Sequence, residues 1–201
     1  MPNYFTIAMA EMWPGSFKVV CYGISEKCFL SIHMEHQDII SSNNEIKWDI
    51  FALTEARLIA TNREYYVLRQ EGNLRKYYSK DEARTFFDNR CIDAAIFFKS
   101  DETYAVIAPD TVTIHPPEVD GSSIKHKVGF KCDNYSRSKV LNKDYRMLKY
   151  WANVDKAKFK EKANYWQGYV QAPDKQVYLV MYNHTFRNGR NKKWIAGFHC
   201  L

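Results

Sequence analysis

Short apolar runs rich in Val, Ile and aromatic residues recur along the chain, divided by polar turn residues. Residues 17–22 and 28–33 are two such runs, and Ile24-Ser25-Glu26-Lys27 between them marks a β-hairpin. Residues 64–69 form another run, closed by a turn at Glu71-Gly72-Asn73. Residues 94–99, 103–108 and 111–115 follow at close spacing, and 124–130, 176–182 and 193–199 complete the set. Many short strands at this spacing predict a sandwich or barrel. Helical patterns interrupt them. Ser79-Lys80-Asp81-Glu82 is a capping box, and Ala83, Phe86, Phe87 and Cys91 then fall on one helical face. Asn44 is placed to cap a second helix with Ile46, Ile50 and Leu53 inward. A third begins near Asn142, carries Leu141, Tyr145, Leu148 and Ala152 at helical spacing, breaks at Asn153 and resumes over 155–162. Pro109 and the stretch 115–123 read as a long surface loop. The expected architecture is a β-rich α+β fold: one domain over 1–201, an antiparallel β-sandwich decorated with about three helices. Residues 1–12 form a short N-terminal arm ahead of the 13–201 body.

The chain has 201 residues, enough to bury a core without disulfides or metal. Its 46% hydrophobic and 26% charged content is that of a globular protein, which excludes disorder and simple coiled coil. Aromatic residues reach 15%, with 14 Tyr. No apolar run approaches the ~18 residues of a membrane span. The start of the sequence lacks the basic and apolar regions of a signal peptide, so synthesis in the cytosol is expected. Five scattered cysteines agree, because a secreted disulfide framework is even in number and denser.

Catalytic signatures are missing. There is no phosphate-binding glycine motif and no nucleophile elbow, so no enzymatic activity is expected. His33-Met34-Glu35-His36 follows Cys21 and Cys28, but strand alternation sends His33 and His36 to opposite faces, which reads as an ordinary hairpin and not a metal site. The basic stretch 137–162 is more informative. It holds nine basic and three acidic residues, a surplus of six that equals the net charge of the whole chain. Tyr145, Tyr150, Trp151 and Phe159 are interleaved. Lys139, Lys143, Arg146 and Lys149 are candidate phosphate or nucleic-acid contacts. The same pattern also describes an amphipathic helix with aromatics inward and lysines in water. A second cluster, Arg187 to Lys193, contains Asn188-Gly189 and reads as a charged turn between strands. The tyrosine pairs Tyr65-Tyr66 and Tyr77-Tyr78 place one member of each outward if they lie on strands, a signature of protein contact.

Several short segments, taken in order, resemble a known family. Ala83-Arg84-Thr85-Phe86-Phe87-Asp88-Asn89 has the pattern A-R-x-F-x-x-N and leads into the apolar run 95–100. Pro14-Gly15-Ser16-Phe17 opens an early hairpin. Asn164-Tyr165-Trp166, Tyr178-Leu179 and Asn183-His184-Thr185-Phe186 lie toward the C-terminus. These segments resemble the cypovirus polyhedrins, which crystallise around virus particles in infected insect cells. The resemblance implies a structural occlusion-body protein in the host cytoplasm. It would partner itself, as a trimer and a crystal lattice, and virus particles, but no membrane. No cofactor would be required, although nucleotide can be trapped in such lattices. The crystals would dissolve in alkali, with Tyr65, Tyr66, Tyr77 and Tyr78 as the switch because phenols ionise near pH ~10. Tyr4, Phe5 and Ile7 would line the contact arm: either the arm is a short helix with these residues and Ala8 on one face, or another segment does the clasping. The alternative is a cytosolic nucleic-acid-binding or virion matrix-type protein that uses 137–162.

Overall fold

The computed structural model describes residues 1–61, 64–67, 72–186 and 188–201. The chain is β-rich α+β, as the run of short strands predicts, and is built on two seven-stranded mixed sheets. It divides into two compact units, Met1–Ala83 and Arg84–Leu201, where the sequence reads as one domain.

Unit 1 contains β1 (Asn3–Trp13), β2 (Ser16–Gly23), β3 (Cys28–Glu35), α1 (His36–Ile39), β4 (Ala52–Glu55), β5 (Leu58–Thr61), β6 (Glu64–Val67) and β7 (Asn73–Tyr77). Their order in the sheet is β5-β6-β3-β2-β1-β4-β7, antiparallel except where β3 and β6 run parallel. The predicted hairpin is β2–β3. The expected N-terminal helix is instead strand β1, which hydrogen-bonds to β2 on one side and β4 on the other. Residues 4–10 of it are buried without alternation, because both faces of this interior strand are covered. Tyr4, Phe5 and Ile7 are 3%, 0% and 0% exposed, so they are core residues of unit 1. The helix expected after Asn44 does not form either. Asn44 adopts φ 62° in a turn where its amide donates to the Ser41 carbonyl, a conformation Asn tolerates and a helix start does not use. Beyond it Lys47 and Trp48 are both buried, in extended chain whose amides each donate to the Ile39 carbonyl. The run 64–69 is strand only over Glu64–Val67, and residues 68–71, including Glu71 of the expected turn, lie outside the described residues.

Helix α2 (Lys80–Asp88) spans the division between the units. Its capping box is present: the Glu82 amide donates to Ser79 Oγ at 3.1 Å and the Ser79 amide to Glu82 Oε2 at 2.7 Å.

Unit 2 follows with α3 (Ala94–Lys99), β8 (Tyr104–Ile107), β9 (Thr111–Ile114), β10 (Glu118–Asp120), β11 (Ser123–Cys132), β12 (Tyr135–Asn142), α4 (Tyr145–Ala152), α5 (Phe159–Val170), β13 (Val177–Thr185) and β14 (Asn191–Cys200). The sheet order is β10-β11-β12-β14-β13-β8, with β9 paired to β11. The loop expected over 115–123 contains the small β10–β11 hairpin. The run 94–99 is a helix and not the expected strand. Asp93 caps it by accepting from the Ile96 amide, and Ala94 and Phe97, three apart, turn inward. Helix α4 is capped by Asp144, two residues later than expected. Its buried stripe is Met147 and Trp151, so Leu141 stays in β12 and Ala152 faces out. The chain then breaks at Asn153 and resumes through a 3₁₀ turn capped by Asp155 into α5.

The core of this unit gathers Phe97, Val128, Trp151, Leu179, Met181 and Ile195. Helix α5 is tied to β9 through Gln167, whose Oε1 accepts from the Ile114 amide and whose Nε2 donates to the Val112 carbonyl, both at 2.8 Å. A buried polar chain sits where β12, β14 and α4 meet. Asn142 Nδ2 lies 3.1 Å from His126 Nδ1, and Asn142 Oδ1 accepts from the Asp144 amide at 3.0 Å. The Asp144 carboxylate accepts from the amides of Met147 and Phe198, each at 2.9 Å. Burial holds the Asp144 carboxyl above its ordinary value, with Arg146 at 3.7 Å acting in the opposite sense. Burial likewise pulls His126 down to about 3, so its imidazole stays neutral.

Candidate nucleic-acid interface

Strands β12 and β14 run parallel and pair at Asn142 and Ile195. On the N-terminal side of that pairing an open groove of about 490 Å³ lies between them. Its charged lining is Lys99 from the end of α3, Arg137 and Lys139 from β12, Lys192 and Lys193 from β14, and one carboxylate, Asp101. Among the described residues no ion pair holds Lys99, Lys139 or Lys192.

Local folding explains how the cations reach this place. On β11, Val128 faces Val140 and Phe130 faces Arg137, so Ser138 and Lys139 together oppose Gly129. This is a β-bulge, and it turns Arg137 onto the face that Phe130 shares with the core. Arg137 then lies over the Phe98 ring, 4.9 Å from its centre, and its Nε donates to the Tyr135 hydroxyl at 2.6 Å. The guanidinium is therefore held on an aromatic shelf. The Lys193 ammonium is committed below it, donating to the Phe97 and Ser100 carbonyls at 2.6 Å each and closing the C-terminus of α3. Burial is the main reason its pKa is lowered; Asp101 opposes that shift and the neighbouring Arg137 adds to it.

Of the four cations expected to contact phosphate, Lys139 lines this groove. The other three do not. Lys143 lies 5.9 Å from the Trp194 ring centre. Arg146 approaches His199 Nδ1 at 2.8 Å and the buried Asp144. Lys149 stands over Tyr145 on the exposed side of α4. Lys99 was hidden by reading α3 as a strand. The charged turn expected over 187–193 is present between β13 and β14 and includes Gly189 at φ 77°, but Lys192 and Lys193 already belong to β14; Arg187 lies outside the described residues.

The four tyrosines expected to act as an alkaline switch all lie in unit 1. Tyr65 and Tyr66 on β6 are exposed, the latter 5.5 Å from the His33 ring. Tyr77 is half exposed and donates to Asp49 Oδ2 at 3.1 Å, while Tyr78 turns the other way onto Phe5, 4.3 Å between ring centres. Burial, then the nearby Asp49, raises the Tyr77 phenol above its ordinary value. Tyr4 is held more strongly: burial and the Glu26 carboxylate push it from 10.0 to about 12. A phenol whose pKa rises on folding stabilises the fold in full below its unfolded value and loses that contribution as pH climbs through its folded one. We therefore expect unit 1 to lose stability between pH 10 and about 12, and Tyr4→Phe to flatten that loss. Denaturant titrations at stepped alkaline pH measure it; equal slopes in parent and variant would remove Tyr4 from the account.

No protein-family model matches the chain, and no curated protein matches it. Similar solved structures include the tetrameric p202 HIN2, at 7% identity and TM-score 0.38 over 100% of this chain and 91% of that one. The Ifi202 HINa domain in complex with 20-base-pair double-stranded DNA is another, at 11% identity and TM-score 0.35 over 100% of this chain and 95% of that one. Both likenesses are remote in backbone as well as in sequence.

Proposed function

We propose that this chain binds nucleic acid, in single-stranded form, through the β12–β14 groove of unit 2. One observation carries the reading: five cations from three separate elements converge on one groove against a single carboxylate. Phosphates supply the negative charge such a site lacks, and a guanidinium fixed on an aromatic shelf presents its donors in the planar fork that phosphate oxygens fit. The cations sit within a groove between two neighbouring strands, which suits an extended single strand whose phosphates and bases both reach the protein. The role is binding, with no catalytic step.

The test is fluorescence anisotropy with a single-stranded oligonucleotide across a salt series. Three phosphate contacts give a slope of log affinity on log salt of about −2. Arg137→Ala, Lys139→Ala and Lys192→Ala should each reduce that slope by roughly 0.7, whereas Lys149→Ala, outside the groove, should leave it unchanged. Affinity that ignores salt, or falls equally with Lys149→Ala, would defeat the proposal.

Self-assembly is a second reading, and it has its own support in unit 1. β5 is an edge strand, and its Ile59 stands exposed opposite the exposed Tyr66 of β6. An apolar strand edge invites pairing with another copy. Sedimentation of the protein alone separates the readings: large particles that persist in high salt support assembly, and a monomer at high concentration ends it.

A further inference from the structure

One buried group in the groove has no partner among the described residues. Asn183 on β13 stands across the strand pair from Lys193 and lines the groove, yet it is 6% exposed. Its backbone amide donates to the Thr103 carbonyl at 2.8 Å. Its side-chain Oδ1 is buried with no hydrogen-bond partner among the described residues. A buried amide oxygen left unpaired is costly, and sites that bind ligands by hydrogen bonds hold such groups in waiting. The position of this oxygen matters. The exposed cations Lys139 and Lys192 lie toward the rim, where phosphates run. Asn183 lies behind them with its oxygen closed off from water, so a base edge that reaches past the rim meets it once the amide turns toward the groove.

We infer that Asn183 is the base-reading residue of this groove, accepting a hydrogen bond from the exocyclic amine of cytosine or adenine. The inference rests on the nucleic-acid reading above. An amine donates to an amide oxygen, whereas uracil offers a carbonyl at the same ring position, setting two acceptors against each other. A ribose hydroxyl could also donate, but the sugar stays beside its phosphates at the rim, while the flat base extends inward.

Dodecamers of deoxycytidine and deoxyuridine test this, because the amine of cytosine is replaced by a carbonyl in uracil; ring N3 also changes from acceptor to donor, and Asn183→Leu separates the two effects. At one fixed salt concentration the parent should bind the deoxycytidine strand roughly tenfold more tightly. In Asn183→Leu the two strands should bind equally, with the salt slope of the parent retained. Ribo-oligonucleotides of both bases form the second arm. Equal affinity for the two deoxy strands overturns the inference, as does a preference that survives Asn183→Leu, or a preference for ribose that ignores the base. In each of those cases salt-dependent binding would still stand, and with it the proposed function. Absence of salt-dependent binding in the parent overturns both. If the Leu variant does not fold, the parent's discrimination between deoxycytidine and deoxyuridine decides alone.

Discussion

Asp144→Ala is expected to cost unit 2 about 3 kcal/mol, because two buried backbone amides, those of Met147 and Phe198, lose their acceptor together. The cap of α4 goes with it, while Asn142, and His126 beyond it, keep their link to this position because Asn142 Oδ1 accepts from the backbone amide of residue 144. Asp144→Asn keeps one acceptor oxygen and should cost less than the Ala variant. The two also differ in pH dependence. Burial raises the Asp144 carboxyl above its unfolded value, so the folded state holds the proton more tightly. Its contribution is fully present below the unfolded value, near ~4, and is lost as pH rises through the folded one. Parent stability should therefore carry a downward slope with rising pH in that acid window, and Asp144→Asn should lack it. Urea midpoints at stepped pH measure both effects. An Ala variant as stable as the parent would mean these amides find water instead.

Gly129→Ala is expected to cost about 2 kcal/mol and to weaken nucleic-acid binding in the same protein. A Cβ at position 129 would lie 2.6 Å from the Ser138 carbonyl oxygen. That atom belongs to the backbone of the bulge, and His115 Nε2 lies 2.8 Å from it on another side, so it has little room to give. Relief requires the bulge to move, and the bulge is what lays Arg137 over Phe98. Gly168→Ala is the contrast. No atom lies within 4 Å of its added Cβ, and in the interior of α5 the change should stabilise by up to ~1 kcal/mol. Thermal melts and anisotropy on both variants provide the comparison. If Gly129→Ala destabilises the fold but leaves affinity intact, the bulge does not position Arg137.

Local grammar carried much of the fold. The β2–β3 hairpin, the charged turn between β13 and β14 and the reciprocal cap at Ser79 and Glu82 are each set by residues within a few positions of one another. Two misreadings have one cause, since a short apolar run does not declare its period. In β1 continuous apolarity reflects burial on both faces of an interior strand. In α3 it hides a helix whose one plain sign is Asp93, three residues before Ile96. The groove was half legible. The charge surplus of 137–162 pointed to the right end of β12, and Lys139 came with it. That Lys192 lies across from it depends on a parallel pairing of strands separated by α4, α5 and β13, which no local pattern encodes. The unpaired oxygen of Asn183 is a property of packing alone.

The position of β14 between β12 and β13 also governs the order in which the chain can fold. All seven strands of unit 1 lie within the first 77 residues, so that sheet can close early during synthesis. In unit 2 the central strand is the last to be made. Until residues 191–200 emerge, the β11–β12 pair and the β8–β13 pair present open edges and half a core to their surroundings. Closure then joins segments distant in sequence, a step with a large loop entropy and a slow rate. The two halves of the molecule should thus refold on separate clocks, the first fast and local, the second waiting on its final strand.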